Sequence, residues 1–486
     1  MVCDDSYSKA CEFNDHFANV ATDLLNKRNN CVGDCHAFNL PEQGKRENTF
    51  TAFNLVSEVE VMDEIIRLKS KKSVGVDNIS VQVLKSCSDI LIKAITYLIN
   101  KSLMGGKVSK FWKIAKVIPL HKKGDRSNPD NYRPISLLPC ISKLLERIVQ
   151  LQLLRYLQDN EIMAEVQSGF RANHSTMTAL AKVTDDWLMA MDVGEYTGVV
   201  FVDLQKAFDT VDHQVLLNKL STNGIKGVVL QWFKSYLTNR RIVTKVNDTL
   251  SEENDLTHGV PQGSLLGPLL FCIFINDLPD IFRLSRVHLY ADDTVIYCSN
   301  QNLNVVESNL NTEMQVLDKW MSQNKLLINY TKTVSMLIGT RQMLSKCNSL
   351  DVKINDTSIT KVETAKYLGI HIDSELKWDN HIDYMCTKIS KLIGFLSRLR
   401  YTVNEANLNL IYKSIILPHF DYGDVIWQSA PKTYLASLQK LQNRAGRLIM
   451  KTNPFAHIPN QHIHDTLNWD FLDCRYKNIF AHWSIK

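Results

Sequence analysis

The sequence predicts an α+β protein with a β-sheet at its centre. Apolar residues recur at helical spacing early in the chain, as in Val59, Met62, Ile65 and Ile66. Short runs of β-forming residues then alternate with long helical patterns, and beyond about Leu376 the pattern is helical and basic. Strands mixed with helices around one sheet are typical of the α+β class.

The elements follow from these patterns in chain order. The predicted helices share an apolar spacing of three and four residues and lie at 59–68, 81–103, 142–157, 176–191, most of 207–239 and 303–320. The predicted strands are short apolar runs at 117–120, 199–202, 241–246, 334–338 and 367–372. Two further runs, 287–289 and 294–297, flank Ala291-Asp292-Asp293 and predict a hairpin with acidic residues at its turn.

Composition limits the class of protein. The chain has 486 residues, of which 45% are hydrophobic, enough for two or three subdomains around a cleft. The net charge of +5 says little, but the basic segments 101–126 and 386–451 suggest contact with a polyanion. Ordinary solvated helix faces are the alternative. No apolar run is long enough to predict a transmembrane helix.

The cysteines give no structural framework. There are eleven, an odd number, without regular spacing and without a secretory signal, which predicts reduced thiols in an intracellular protein. Cys31, Cys35 and His36 form one local cluster, but a zinc site needs four ligands and no second pair lies nearby. We interpret this cluster as chance placement in a loop.

Three aspartates are the candidate chemical groups. Asp203 ends the apolar run 199–202, and the pair Asp292 and Asp293 lies between two buried runs. An isolated aspartate is usually a turn residue or a helix cap. An acid at the end of a strongly apolar strand is harder to explain in that way. Carboxylates that converge at a sheet edge can hold Mg²⁺ for phosphoryl transfer.

Five motifs resemble those of reverse transcriptases in order and wording. Residues 201–213 (FVDLQKAFDTVDH) resemble the first catalytic motif, and 290–293 (YADD) resemble the Tyr/Phe-x-Asp-Asp box. Residues 259–268 (GVPQGSLLGP) resemble the motif that packs against template and nucleotide. Residues 132–136 (YRPIS) and 167–171 (QSGFR) resemble two fingers motifs. The set is similar to non-LTR, LINE-type retrotransposon enzymes of the jockey-like kind.

This resemblance implies an RNA-directed DNA polymerase with a right-hand fold: fingers, a palm with an antiparallel sheet and a helical thumb. Its implied domains are an N-terminal extension or linker (1–60), fingers (61–195), a catalytic palm with the primer grip (196–375), a basic helical thumb (376–452) and a C-terminal segment (453–486).

The resemblance also implies two Mg²⁺ ions, with Mn²⁺ as the alternative. Asp203, Asp292 and Asp293 would hold them, with the backbone carbonyl of Leu204. Asp293 is the conditional ligand, because neighbouring residues in a strand face opposite ways. Lys332, in a further motif at 329–333, is the candidate proton donor to the pyrophosphate leaving group. An exposed loop lysine is the alternative for this position.

By the same resemblance, Arg133 with Lys122 or Lys123 would neutralise the triphosphate, and the sequence leaves open which lysine points inward. Phe208, five residues after the first candidate aspartate, would be a steric gate against ribonucleotides; a core phenylalanine is the alternative. Gln262 would lie near the nascent base pair, and a plain glycine-rich loop is the alternative there.

The remaining implied contacts concern the template and the primer. Arg171 would touch template or the fingers backbone, and Gly263 would allow close backbone approach. Tyr367, Leu368 and Gly369 would form the primer grip. The implied partners are an RNA template, a DNA primer and dNTPs, with another protein of the same element as a further partner, in the nucleus or the cytoplasm.

Two other functions compete with this interpretation. One is a catalytically inactive nucleic-acid-binding relic, which would keep the basic segments while the chemistry fails. The other is an intron-type maturase–polymerase, against which the wording of 132–136 and the C-terminal segment argue. Full elements of the implied kind carry an endonuclease domain before the polymerase. Only about 60 residues precede the implied fingers, so we expect no nicking activity from this chain.

Overall fold

The computed structural model describes residues 5–29, 48–70, 73–347, 350–452 and 458–483. The cluster of Cys31, Cys35 and His36 lies outside the described residues. Within them, no helix is both long and apolar enough to cross a membrane.

The strands gather mainly in two sheets. They are β1 Ile114–His121, β2 Tyr132–Leu137, β3 Tyr196–Val202, β4 Arg240–Val246, β5 Thr249–Leu250, β6 Asn254–Leu256, β7 Arg286–Tyr290, β8 Asp293–Asn300, β9 Val334–Ile338, β10 Lys353–Ile354, β11 Thr357–Ser358, β12 Thr360–Lys361, β13 Thr364–Tyr367 and β14 Ile370–Asp373.

The helices precede, connect and follow these strands. They are α1 Ser6–Asn29, α2 Glu58–Arg67, α3 Val81–Ser86, α4 Ser88–Gly105, α5 Cys140–Asp159, α6 Thr176–Asp192, α7 His213–Thr222, α8 Gly227–Leu237, α9 Gly267–Phe274, α10 Leu303–Gln323, α11 Arg341–Leu344, α12 Asp379–Leu399, α13 Glu405–Ile411, α14 Leu417–Asp421, α15 Asp424–Trp427, α16 Lys432–Ile449, α17 Asn460–Leu467 and α18 Leu472–Trp483.

The central sheet has the order β12-β9-β3-β8-β7, and its pairs are antiparallel except β12 with β9. Strand β3 lies in the middle and is buried on both faces. Val200 and Val202 point into one core, while Val199 and Phe201 point into the other. A strand that is buried on both faces reads as a continuous apolar run, which explains the pattern at 199–202.

The second sheet has the order β2-β1-β4-β5, with β6 paired to β4. Helix α1 packs on β4, β5 and β6. The buried Asn14 amide donates to the carbonyl of Glu252 at 2.9 Å and accepts from the Thr244 hydroxyl at 2.9 Å. The described part of the segment 1–60, expected to be an extension or linker, therefore includes a helix that is hydrogen-bonded to this sheet.

Most predicted elements are confirmed, including the hairpin of β7 and β8 and the strands around 117–120, 199–202, 241–246 and 334–338. The prediction of a single strand at 367–372 is wrong. The chain instead turns back at Leu368 and Gly369, with φ of 44° and 88°, and forms the antiparallel pair of β13 and β14. A two-residue turn of this kind needs positive φ at both positions. Glycine adopts positive φ readily but leucine seldom does, so only Gly369 signals a turn in the sequence.

Candidate active site

The register of the central sheet brings two candidate aspartates to one edge. Val202, the last residue of β3, pairs with Thr294 of β8. The residue that follows β3 is Asp203, and the residue before Thr294 on the antiparallel β8 is Asp293. The two strands therefore present both acids at the same end of the buried sheet.

The third aspartate lies in the turn of the hairpin. Tyr290 pairs with Asp293, so Ala291 and Asp292 form a two-residue turn. Ala291 has a φ of +55°, a left-handed conformation that costs an L-residue about 1–2 kcal/mol. Asp292 thus stands at the tip of the hairpin, beside the ends of β3 and β8.

Electrostatic repulsion connects the three carboxylates. Burial raises the pKa of Asp293 to about 6, and the charges of Asp292 and Asp203 add to this rise. Burial also raises the pKa of Asp292, with a further rise from Asp203, while Arg133 and Lys122 act in the opposite direction. The site therefore concentrates negative charge in an environment that disfavours it.

The chemistry of this donor set fits a divalent cation, because Mg²⁺ takes hard carboxylate oxygens and would remove the mutual repulsion. Across the described ranges, no three His, Cys, Asp or Glu side chains converge into a ready-made metal site. Asp203 instead contacts a cation of the chain itself, since the Lys332 Nζ lies 3.3 Å from its Oδ2.

Asp203 is held by the segment that follows α10. The Asn329 side-chain amide donates to Asp203 Oδ2 at 2.9 Å, and the Asn329 backbone N–H donates to the Asp203 carbonyl at 2.8 Å. The Asp203 N–H in turn donates to the Thr333 hydroxyl at 3.2 Å. Asn329 and Thr333 were not assigned roles from sequence, although they flank the candidate Lys332.

Leu204 forms an antiparallel bridge with Ile328. The hydrogen bonds of this bridge run from Gln205 N to the Leu327 carbonyl and from Asn329 N to the Asp203 carbonyl. The Leu204 carbonyl takes no part in them, so the bridge leaves it available as a ligand.

Two basic residues of the second sheet face the carboxylates. In the pairing of β1 with β2, Arg133 lies opposite Leu120, two residues before Lys122. Burial lowers the pKa of Lys122, the charges of Arg133 and Lys332 lower it further, and Asp203 opposes them. Lys122 is also among the charges that act on the pKa of Asp292. Lys123, the next residue, is exposed like Lys122.

The half-buried ring of Phe208 stacks on Phe271, with ring centroids 4.5 Å apart.

The Gln262 amide nitrogen donates to both oxygens of Asp209, and burial raises the pKa of Asp209 to about 6. Gly263 approaches the second sheet so closely that a Cβ would lie 2.8 Å from the Ser136 carbonyl oxygen.

The residues expected at the primer are engaged within the protein. The Tyr367 ring is buried, and its hydroxyl lies 3.4 Å from His288 Nδ1. The Leu368 carbonyl accepts a 2.6 Å hydrogen bond from the Tyr422 hydroxyl. Gly369 lies against the same tyrosine, because a Cβ there would be 3.1 Å from the Tyr422 ring. A molecule that binds at this turn would therefore contact its backbone and not the buried Tyr367 ring.

Arg171 contacts its own loop. Its guanidinium donates to the carbonyls of Ala164, at 2.6 Å, and Gln167, at 3.2 Å. Gln167, the first residue of the motif 167–171, is fully buried and accepts from the backbone N–H of Ala291 at 3.0 Å.

This mixed fold of helices and sheets, with three carboxylates at one sheet edge beside basic residues, defines a class of protein with an acidic site suited to binding cations. Just over half of the chain, residues 120–372, matches the family described as "Reverse transcriptase (RNA-dependent DNA polymerase)". The chain belongs to that family.

Several curated relatives resemble the chain over 80% of its length. In Drosophila melanogaster they include the "Probable RNA-directed DNA polymerase from transposon BS", 33% identical, and that from transposon X-element, 30% identical. The "RNA-directed DNA polymerase from mobile element jockey" of the same fly is also 30% identical. The chain covers 44%, 43% and 43% of these three relatives, and so spans less than half of their length.

Among solved structures, telomerase from Candida tropicalis in complex with a fragment of telomeric RNA is similar over 80% of this chain and 68% of its own, at 11% identity and a TM-score of 0.40.

Proposed function

We propose that this chain is the RNA-directed DNA polymerase of a non-LTR retrotransposon, which extends a DNA primer along an RNA template. One observation carries the proposal: Asp203, Asp292 and Asp293 lie at one sheet edge with Lys122 and Arg133 beside them. The charge of Asp203 raises the pKa of Asp292, and the charges of both raise the pKa of Asp293. The family match of residues 120–372 and the names of the relatives support the same activity.

In this proposal the three carboxylates, with the Leu204 carbonyl, hold two Mg²⁺ or Mn²⁺ ions. When bound, such ions neutralise charge that builds on the attacking and leaving oxygens during nucleotidyl transfer. Asn329 keeps one oxygen of Asp203 oriented by its 2.9 Å hydrogen bond. Lys332, which is ion-paired with Asp203, is close enough to the centre to donate a proton to the leaving pyrophosphate.

The dNTP would enter between the two sheets. Arg133 and Lys122 bind the triphosphate, because an arginine fork and a lysine ammonium both pair well with phosphate oxygens. Phe208 lies beside the sugar and excludes a ribose 2′-hydroxyl, with its ring supported from behind by Phe271. Gln262, fixed by Asp209, contacts the nascent base pair.

The proposed domain division keeps the right-hand arrangement. The fingers (61–195) carry the basic turn and the motif 167–171, and the palm (196–375) carries the carboxylates. The basic helices of 376–452 form a thumb along the template–primer duplex, and Leu368 and Gly369 offer backbone groups to the primer end. The described part of 1–60 packs through α1 against β4, β5 and β6, which lie in the palm by this division.

Primer extension tests the activity. The wild-type protein should incorporate dNTPs on a primed RNA in the presence of Mg²⁺, and Asp203→Asn should reduce the rate by at least about 100-fold, as expected for loss of a metal ligand. Asp248→Asn is the matched control, since Asp248 is a fully exposed aspartate of the turn after β4. Template–primer binding without extension by the wild type would instead support the inactive relic.

A further inference from the structure

We propose that Gln167 is a positioning residue, which holds the hairpin turn of Ala291 and Asp292 in the conformation that the chemistry needs. This inference rests on the proposed polymerase function. It assigns the motif 167–171, expected to act in the fingers, to the support of a hairpin turn whose first residue, Ala291, lies 124 residues after Gln167.

The turn requires an anchor because its first residue is strained. Ala291 adopts a φ of +55°, where an L-residue is disfavoured and glycine is not. This conformation directs the Ala291 N–H towards Gln167, whose Oε1 accepts it at 3.0 Å. The same oxygen accepts the Gly169 N–H at 2.7 Å, so two backbone donors fix which end of the buried amide faces the turn.

The loop that carries Gln167 is itself tied to the hairpin. The Ser168 N–H donates to the Leu289 carbonyl at 2.8 Å, and the Leu289 N–H donates to the Val166 carbonyl at 2.9 Å. The Ser168 hydroxyl is hydrogen-bonded to His288 Nε2 at 3.1 Å. These contacts hold the loop in register with β7, so Gln167 reaches the turn from a fixed backbone.

The other residues of the motif complete the same arrangement. Gly169 packs directly against the turn, because a Cβ there would lie 2.4 Å from the Ala291 backbone nitrogen. Arg171 closes the loop by donating to the carbonyls of Ala164 and Gln167. In the motif QSGFR, Gln167 therefore accepts from the turn and Ser168 is hydrogen-bonded to β7. Gly169 allows close packing against the turn, and Arg171 holds the loop closed.

Gln167→Met tests the role, because methionine keeps the length of the side chain and removes the acceptor. We expect the rate of nucleotide incorporation to fall by about 10- to 100-fold, since small misplacements of reacting groups have effects of that size. The KM for dNTP should change little, because Lys122 and Arg133 are untouched. The Mg²⁺ concentration for half-maximal rate should rise, because Asp292 is no longer held.

Rescue distinguishes positioning from general damage. Glycine adopts a positive φ without strain, so Ala291→Gly should restore part of the rate when it is combined with Gln167→Met. Gln442→Met is the matched control, because Gln442 is another buried glutamine whose amide donates to a backbone carbonyl, that of Asp470. It should lower the thermal unfolding temperature without a comparable loss of rate.

Hydrogen exchange of the protein without substrate or metal gives a readout that does not depend on activity. Gln167→Met should accelerate exchange in the segment 290–293, and Gln442→Met should not. If the wild type extends no primer but exchange still accelerates, the polymerase proposal fails while the anchor is retained. Wild-type rate and wild-type exchange in Gln167→Met would overturn the inference, and so would a loss of rate that Ala291→Gly leaves unchanged.

Discussion

The amide nitrogen of Gln262 lies 2.8 and 2.9 Å from the two carboxylate oxygens of Asp209. A charge-assisted hydrogen bond of this kind fixes the side chain that we place at the nascent base pair. Asp209→Ala should therefore raise the KM for dNTP by about 10-fold or more, the effect expected from losing a hydrogen bond to a charged group. Steady-state kinetics with Asp248→Ala as control would show this, and an unchanged KM would refute the role of the pair.

Neutralising one acid should stabilise the metal-free protein. Because burial and two neighbouring charges raise the pKa of Asp293, its ionised form destabilises the fold. We expect Asp293→Asn to unfold at a higher temperature than the wild type at pH 7.5 without divalent ions, and to extend primers more slowly. Added Mg²⁺ should raise the unfolding temperature of the wild type more than that of the variant. Equal shifts would argue against Asp293 as a ligand.

Asp424, the first residue of α15, offers a test of pH dependence away from the site. Burial raises its pKa to about 6, and Asp421 adds to this effect. Since the folded-state pKa exceeds the unfolded value, ionisation lowers stability as pH rises from about 4 to about 6. Asp424→Asn should stabilise the protein by about 1–3 kcal/mol above pH 6 and by nothing below pH 4. Chemical denaturation at both pH values would measure this, and a constant difference would contradict it.

The two lysines of the turn after β1 should differ in effect. The pKa of Lys122 responds to Arg133, Lys332 and Asp203, so its ammonium group belongs to the charge network of the site. Lys122→Ala should raise the KM for dNTP by about 10-fold, the size expected from losing a charge-assisted contact with phosphate. Lys123→Ala should have a smaller effect and serves as the matched control. If Lys123→Ala raised the KM for dNTP more than Lys122→Ala did, Lys123 would be the lysine that binds the triphosphate.

Phe208 should control the choice of sugar. Its ring is half-buried and rests on Phe271, so it cannot move back to admit a 2′-hydroxyl. Phe208→Val should increase incorporation of rNTPs relative to dNTPs by about 10-fold or more, since a steric clash is removed. Phe111→Ala, which removes an exposed ring just before β1, should leave the ratio unchanged. If Phe208→Val left the ratio of rNTP to dNTP incorporation unchanged, Phe208 would only pack against its neighbours and would not select the sugar.

The sequence was most informative where a pattern is local. The apolar run before Asp203 and the two runs around Asp292 predicted the strands and the hairpin, because burial imposes that pattern on any strand at the centre of a sheet. Long-range contacts gave no such signal. The hydrogen bond from Ala291 to Gln167 connects residues 124 positions apart, and neither residue type by itself predicts this contact. The turn at Leu368 was missed because its conformation depends on the Tyr422 contact and not on leucine's own preference.

Strand β3 supplies alternate side chains to both large cores, Val200 to one and Phe201 to the other. Both cores therefore hold β3 in place, and Asp203 directly follows its last residue, Val202. Heat inactivation should therefore follow the less stable core, even if the other survives to a higher temperature. Stabilising the weaker core alone would then lengthen the working life of the protein, whereas reinforcing the stronger one would gain nothing.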